Sequence, residues 1–514
     1  MSVKKSVKME KPQTLIMVIF GASGDLTRRK LMPALYVLHR LGRLPEKLIL
    51  LGVARTLFDE DSFRDRIRQA LLLYVKSEEI EPHLLDSFLE RVYYLPMDPA
   101  DAAQYSRLRT TLATWDAELG NPGNYLYYLA TPPLLYGVIP QHLKAAGLNG
   151  RTGPGQVRIV VEKPFGYDLE SARQLTAVYR DVFEEEQIYR IDHFLGKETV
   201  QNILAFRFAN SLFEPLWNRN YIDYMEITAV ENMGVGTRGA SFDGVGTLRD
   251  MVQNHLAQLL AVTVMEPPSS FNADDFRNEV VKVYRSLAPL TQEDMRRFVV
   301  RGQYTASPGR KAYREEDHVD KASRTETFLA MRIGVDNWRW SGVPIYIRTG
   351  KQMPTKVTEV VVHFKPAPFA MFGCEEGGCP VTNRLVIRIQ PGEGIALRFG
   401  MKTPGSGFRV SPMDMDFSYA ELGALPTEDA YARLIEDCMA GDPTLFIRSD
   451  AVEAGWRFFD PLVRFWREHP AWPLYGYPAG TWGPPESERL LAGRASGWTN
   501  PCKNLTQTDL YCEL

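Results

Sequence analysis

Cysteine is scarce in this chain. Among 514 residues there are five, Cys374, Cys379, Cys438, Cys502 and Cys512, an odd count. Disulfide frameworks belong to small chains that cannot build a core, so few thiols at this length fit a reducing compartment. Long apolar runs are absent as well. No segment approaches the roughly 20 apolar residues of a bilayer-spanning helix, and the run over 15–20 is too short for a secretory leader. The sequence thus predicts no membrane association and a cytoplasmic setting. Neither sign of charge is in excess: 60 Lys+Arg stand against 63 Asp+Glu, a net −3, which lacks the basic footprint of a nucleic-acid binder. No internal repeat or low-complexity linker interrupts the chain. Metal-ligand spacing is missing too, since Cys374 and Cys379 have no neighbouring His or second Cys pair; no metal is expected.

What remains is ordinary globular usage, 45% hydrophobic and 24% charged. The length predicts two to four domains. Residues 1–12 are Lys-rich and polar and read as a flexible arm. Residues 14–20 are continuously apolar, as a parallel strand buried on both faces should be. A Gly-rich turn and a helix over 26–41 follow, then strands over 47–54, 92–95, 124–130 and 157–162, with helices over 60–75, 80–91 and 102–119. This alternation predicts a Rossmann-like, doubly wound α/β domain over 13–200. After residue 200 the strand-like segments 224–231, 328–333, 344–348, 359–364, 384–389 and 395–399 often alternate apolar with polar. They predict an α+β domain over 201–514, with a large, mostly antiparallel sheet packed by helices near 247–265, 428–440 and 450–467. The tail from Trp472 reads as ordered coil.

The turn Gly21-Ala-Ser-Gly24 stands between a buried strand and a helix, the setting of a phosphate site on a helix N-terminus. A literal GxGxxG occurs at Gly234-Val-Gly-Thr-Arg-Gly239, but it opens no clear helix and lies where the βα alternation has ended; we reject it. At the end of the second strand, where an acid would select NAD, the chain has Arg55-Thr56. A cation there suits the 2′-phosphate of NADP, although a solvated loop arginine would look the same.

Arg190-Ile-Asp-His-Phe-Leu-Gly-Lys-Glu198 packs Asp192, His193 and Lys197 into a strand-to-helix junction. A His and a Lys there suit a phosphate monoester, and an Asp can orient a distant His in general-base catalysis. Of eight histidines, His255 alone lies in a helical stretch dense in polar groups, 248–256. A lone helical His is more often structural, so the residues alone leave its role open. Glu162-Lys163-Pro164 ends the fifth parallel strand, on the ligand-binding edge.

These pieces together resemble the glucose-6-phosphate dehydrogenase family over almost the whole chain. The matching motifs are Gly21-Ala-Ser-Gly-Asp-Leu-Thr27, Ala54-Arg55, Glu162-Lys-Pro-Phe-Gly166, the Asp192-His193-Lys197 stretch, Arg249-Asp-Met-Val-Gln-Asn-His255, Arg348-Thr-Gly-Lys351 and Leu385-Val-Ile-Arg-Ile-Gln-Pro391. The resemblance implies NADP-linked oxidation of glucose 6-phosphate at C1 to 6-phosphogluconolactone, the entry to the oxidative pentose phosphate pathway. It implies His255 as general base, Asp192 as its partner, and His193 and Lys197 as phosphate ligands. Lys163, Glu231, Asp250, Lys351, Lys356 and Gln390 match positions lining the sugar phosphate pocket. Gly21, Ala22, Ser23, Gly24, Asp25, Leu26, Arg55, Tyr136 and Lys163 match cofactor positions. Homodimers or homotetramers are implied as well. One departure stands out: the family usually has Tyr after the Asp-His pair, where this chain has Phe194, so one hydroxyl contact to the phosphate should be missing. The alternatives are a dehydrogenase of the same fold using another sugar phosphate or NAD, and a catalytically silent relative, which would be expected to lack Asp192, Lys197 or His255. The cysteines are expected to be unreactive.

Overall fold

The computed structural model describes residues 12–120, 122–150, 155–369, 371–372, 382–405, 407–422, 429–494 and 496–501. The expected arm, save Pro12, and Cys374, Cys379, Cys502 and Cys512 lie outside them. Cys438 is a buried free thiol. Among the described residues no helix is long and apolar enough to cross a membrane. The chain divides into two compact units: 1–197 with 268–279 and 427–453, and 198–267 with 280–426 and 454–514.

The first unit holds a six-stranded sheet of β1 (Thr14–Phe20), β2 (Lys47–Ala54), β3 (Val92–Pro96), β4 (Tyr125–Leu129), β5 (Val157–Glu162) and β6 (Ile188–Ile191), in the order β3-β2-β1-β4-β5-β6. Every pairing is parallel. Leu15 to Phe20 are at most 1% exposed, as a central strand covered on both faces requires. Helices α1 (Met32–Arg40), α2 (Glu60–Tyr74), α3 (Pro82–Leu89), α4 (Tyr105–Glu118), α5 (Val138–Ala145) and α6 (Leu169–Val182) alternate with the strands. Asp59 starts α2 by accepting from Ser62 N–H at 2.8 Å, and Asp168 does the same for Ser171 in α6; both are ordinary N-caps. The strand order reverses between β1 and β4, so a crevice lies beyond their carboxyl ends.

In the second unit a nine-stranded sheet runs β14-β13-β12-β11-β7-β10-β9-β8-β15. Its central members are β7 (Ile222–Val230), β10 (Ile345–Gly350) and β11 (Val357–Phe364), flanked by β9 (Phe328–Ile333), β12 (Arg384–Gln390) and β13 (Gly394–Lys402). The β7–β10 and β8–β15 pairs are parallel and the others antiparallel. Three strands were not expected from sequence: β8 (Val299–Thr305), β14 (Val410–Ser418) and β15 (Tyr475–Pro478). Strand β14 is an edge strand whose side chains are mostly exposed. Pro412 is tolerated there because one side of the ladder is free. Strand β15 lies in the tail read as coil, and a short 3₁₀ turn over Pro485–Leu491 follows it.

Helices α7 (Glu198–Phe208), α8 (Gly239–Asp243), α9 (Ala257–Val264), α10 (Ala273–Arg285), α11 (Gln292–Phe298), α12 (Ala430–Ala440) and α13 (Ser449–Glu468) complete the list. One expectation is corrected here. The helix over 428–440 does not pack on the large sheet; as α12 it lies in the first unit, against α1. Its apolar face of Ala432, Leu434, Ile435, Cys438 and Met439 is buried. The Arg158 side chain of β5 donates to the Met439 carbonyl at 3.2 Å, and Arg43 pairs with Glu436. A cation on the last carbonyls of a helix satisfies orphan acceptors and complements its dipole.

Candidate active site

The turn after β1 is shaped by the need for backbone to meet backbone. Gly21 has φ +88°, and a Cβ built there would lie 2.2 Å from the Ala130 carbonyl at the end of β4. Its N–H, with that of Ala22, donates to the Val53 carbonyl. Gly24 N–H closes the turn onto the Gly21 carbonyl at 2.9 Å. Helix begins at Asp25, and the first N–H groups of a helix have no intrahelical acceptor. Thus Ala22, Ser23, Gly24, Asp25 and Leu26 frame a cradle at a helix N-terminus, open to an anion. These residues fit the pyrophosphate of a dinucleotide. The Thr56 hydroxyl donates to the Ser23 hydroxyl at 3.1 Å. The Tyr94 hydroxyl donates to the Thr56 carbonyl at 2.6 Å. Arg55, between these fixed groups, is exposed.

The literal GxGxxG behaves differently. It follows β7 and does lead into a helix, a correction to the expectation that it opens no clear one, but α8 is only five residues long. Two of its glycines answer a packing need: a Cβ on Gly234 would lie 2.3 Å from a Glu316 carboxylate oxygen, and one on Gly239 would lie 2.0 Å from the Asp317 carbonyl; Gly236 serves a positive φ of +54°.

Strand β6 delivers Asp192, His193 and Lys197. Asp192 is 1% exposed, and one of its oxygens accepts from Phe194 N–H at 3.0 Å. The His193 ring stacks on Tyr431, with centroids 6.1 Å apart and planes at 10°. Strand β5 ends at Glu162, a buried carboxyl that accepts from the Tyr128 hydroxyl at 2.6 Å. Burial pushes this carboxyl up to about 7; the neighbouring Asp192 adds to the rise, while the Tyr128 and Tyr431 hydrogen bonds and the charge of Lys163 oppose it. Lys163 follows at the strand end, and the Lys163–Pro164 bond is cis. The Tyr136 hydroxyl donates to the Lys163 carbonyl at 3.5 Å, and burial pushes its phenol up.

The second unit gathers its own polar cluster. Lys351, just past β10, is 2% exposed. Its ammonium pairs with Glu231 and lies 3.5 Å from Asp250; it also sits 4.9 Å from the Phe242 ring centroid. The strands explain this meeting, since Glu231 N–H donates to the Gly350 carbonyl at 2.9 Å, which sets the ends of β7 and β10 side by side. Asp250 and His255 lie in a widened, π-type helical stretch, Leu248–Leu256, that runs into α9. Such stretches recur at functional sites. The buried Glu326 carboxylate accepts from Leu248 N–H at 2.9 Å and fixes its start. His255 is 2% exposed. Gln390 closes β12, its amide donating to the Thr358 hydroxyl at 3.0 Å. Lys356 is exposed in the β10–β11 connection.

Most of the residues foreseen therefore fall into three groups: the turn with Arg55, the β5 and β6 ends, and the Glu231–Asp250–Lys351 cluster, whose helical stretch also carries His255; Gln390 and Lys356 belong to β12 and the β10–β11 connection. Sequence reasoning placed Glu162 on the ligand edge but missed Tyr128, Tyr431, Phe242 and Glu326 as site neighbours. None lies in a spacing that announces a ligand, and Tyr431 reaches His193 from a remote helix.

Comparison with known proteins agrees along the whole chain. Residues 18–202 match the family model "Glucose-6-phosphate dehydrogenase, NAD binding domain", and residues 204–499 match "Glucose-6-phosphate dehydrogenase, C-terminal domain". The glucose-6-phosphate 1-dehydrogenase of Aggregatibacter actinomycetemcomitans is 50% identical over 495 residues, 96% of this chain and 98% of that protein. That of Treponema pallidum is 47% identical over 504 residues, 97% of this chain and 98% of that protein. A solved glucose-6-phosphate dehydrogenase in complex with its substrate glucose 6-phosphate superposes with a TM-score of 0.88 at 33% identity, covering 96% of this chain and 99% of that one. The enzyme from Mycobacterium avium gives 0.82 at 36% identity, with the same coverage.

Proposed function

The chain belongs to the glucose-6-phosphate dehydrogenase family, and from that premise we propose that it oxidises glucose 6-phosphate at C1 to 6-phospho-D-glucono-1,5-lactone with NADP. The observation that carries the reading is the likeness, over 96% of the chain, to a dehydrogenase held with that sugar phosphate. Every residue to which the family motif gives a chemical role is present except the Tyr that Phe194 replaces.

Bound nicotinamide supplies the acceptor for the hydride that leaves C1. The chain's own task is the proton. Loss of hydride from an alcohol carbon builds positive character there, and release of the hydroxyl proton relieves it. His255 takes that proton; imidazole is the side chain whose basicity suits general-base work near neutral pH. Asp192 orients the ring and stabilises the imidazolium. His193 and Lys197 hold the phosphate, with Lys356 adding charge. Binding at that remote end fixes C1 for reaction. Glu231, Asp250, Lys351, Lys163 and Gln390 pair with the sugar hydroxyls.

Gly21, Ala22, Ser23, Gly24, Asp25 and Leu26 cradle the pyrophosphate. Arg55 reads the 2′-phosphate, and Tyr136 and Lys163 border the cofactor. The dinucleotide function belongs to the domain over 13–200, and the substrate and self-association functions to 201–514 apart from 268–279 and 427–453, which pack into the first unit. A homodimer or homotetramer, at work in the cytoplasm, fits the exposed apolar row Met413, Met415 and Phe417 on β14. The test is initial rates at 340 nm with glucose 6-phosphate, comparing NADP with NAD. Strong NADP-dependent turnover is expected. Turnover favouring NAD removes the 2′-phosphate argument, and none with either cofactor from folded protein removes the reading.

A further inference from the structure

Several arginines lie on the helix that follows the β1 turn and on α2, and most are already spoken for. Arg28 and Arg29 both pair with Asp25, at 3.0 and 3.2 Å. On α2, Arg64 pairs with Glu60 at 3.1 Å and Arg68 with Asp86 at 2.8 Å. Arg66 is different. Among the described residues it has no carboxylate partner; its Nη2 donates to the Ser23 carbonyl at 3.2 Å, and its guanidinium lies 5.7 Å from the Phe58 ring centroid. It is half-buried, whereas Arg55 is exposed.

The position of Arg66 matters because of what Ser23 joins. The Ser23 hydroxyl accepts from Thr56, and Tyr94 pins the carbonyls of Ala54 and Thr56 at 3.2 and 2.6 Å. The β1 turn, the end of β2 and the Arg66 guanidinium therefore form one hydrogen-bonded rim. The ribose 2′ position of a dinucleotide belongs at the end of the second strand of this fold. A guanidinium presents five N–H donors, and a single backbone contact leaves Arg66 donors to spare. A carbonyl and a ring hold its planar fork, so little side-chain freedom is lost when it meets an anion.

We propose that Arg66 is a second specificity-determining cation for the 2′-phosphate of the cofactor, acting with Arg55. This rests on the NADP reading above. A phosphate monoester is close to a dianion at neutral pH; one exposed arginine neutralises only part of that charge. NAD lacks the group, so the contribution of Arg66 appears only as discrimination.

The test is calorimetric titration of the full chain with 2′,5′-ADP and with 5′-AMP, for wild type, Arg66→Gln and Arg66→Lys. A charge-assisted contact predicts that Arg66→Gln weakens 2′,5′-ADP about tenfold and leaves 5′-AMP unchanged. Arg66→Lys keeps the charge and is expected to restore most of the loss; it also gives a reading should the Gln variant not fold. Equal weakening of both nucleotides would reduce Arg66 to a support of the turn, and no change in either would remove it from the site; both overturn the proposal. Equal binding of the two nucleotides by wild type is a separate result, and it overturns the NADP reading itself.

Discussion

The ammonium of Lys197 lies 4.3 Å from the centroid of the Phe194 ring. Lys197 is the expected phosphate ligand, and Phe194 is the position where relatives usually carry Tyr. The ring is 4% exposed and also meets His193 edge-on at 5.3 Å. The missing hydroxyl therefore leaves a platform that still positions both candidate phosphate ligands. Adding the hydroxyl in Phe194→Tyr is expected to lower KM for glucose 6-phosphate by about tenfold, the scale of one hydrogen bond to a charged group. Phe194→Leu, which removes the ring face, should raise KM several-fold with kcat little changed. Steady-state kinetics with varied sugar phosphate check both. Identical KM values in all three proteins would show that this side chain does not act on the phosphate.

His255→Asn keeps a polar side chain of similar reach but cannot act as a base at neutral pH. Turnover is expected to fall by at least about 100-fold, the lower range for general-base catalysis. Equilibrium binding of glucose 6-phosphate should stay within a few-fold. Retained kcat would require another base.

Arg55→Ala removes the exposed cation after β2. KM for NADP should rise about tenfold or more, while KM for NAD barely moves. A parallel rise with both cofactors would mean that Arg55 supports the nucleotide without reading its 2′-phosphate.

Glu162 gives the fold a pH signature. Burial raises its carboxyl from 4.5 to about 7. Between those values the unfolded chain has released the proton and the folded chain still holds it. Stability from this group is therefore full below 4.5, falls as pH rises toward 7, and stays low above. The loss is at most about 3 kcal/mol, at about 1.36 kcal/mol per pH unit of difference. Glu162→Gln, which can still accept from Tyr128, should match wild type near pH 4.5 and be more stable at pH 8. Denaturant midpoints measured at both pH values decide it; a gap that does not widen with pH would place the proton elsewhere.

The fold was legible wherever burial wrote a continuous signal. Strand β1 and strand β2 carry apolar runs, broken only by Gly52, where the Ala22 and Phe63 side chains leave no room for a Cβ, and both bounds agree with the sequence expectation. Strand β14 carried no such signal, because an exposed edge strand with Met and Asp alternating outward does not look like one that closes a core. Helix α12 was foreseen but assigned to the wrong sheet. Amphipathicity shows that a helix has an inside, not which inside, and the Arg158–Met439 contact that decides it joins residues far apart in sequence. At the site, motifs picked out the charged groups expected to face ligand. Glu162 was placed on the ligand edge, but its bond to Tyr128 was not legible, and the ring of Tyr431 stayed hidden, since it acts through a neighbour far away in sequence.

The clash that forbids a side chain at Gly21 also shapes how such a protein can change. A Cβ there would run into the Ala130 carbonyl at 2.2 Å, and the obstacle is backbone, which no compensating side-chain swap removes. The floor of the nucleotide cradle is thus closed to sequence drift. Its rim is not: Ser23, Arg55, Thr56 and Arg66 can each be exchanged without moving the strands beneath. A lineage of this fold can accordingly retune which nucleotide it prefers in single steps along the rim, while the floor is inherited unaltered.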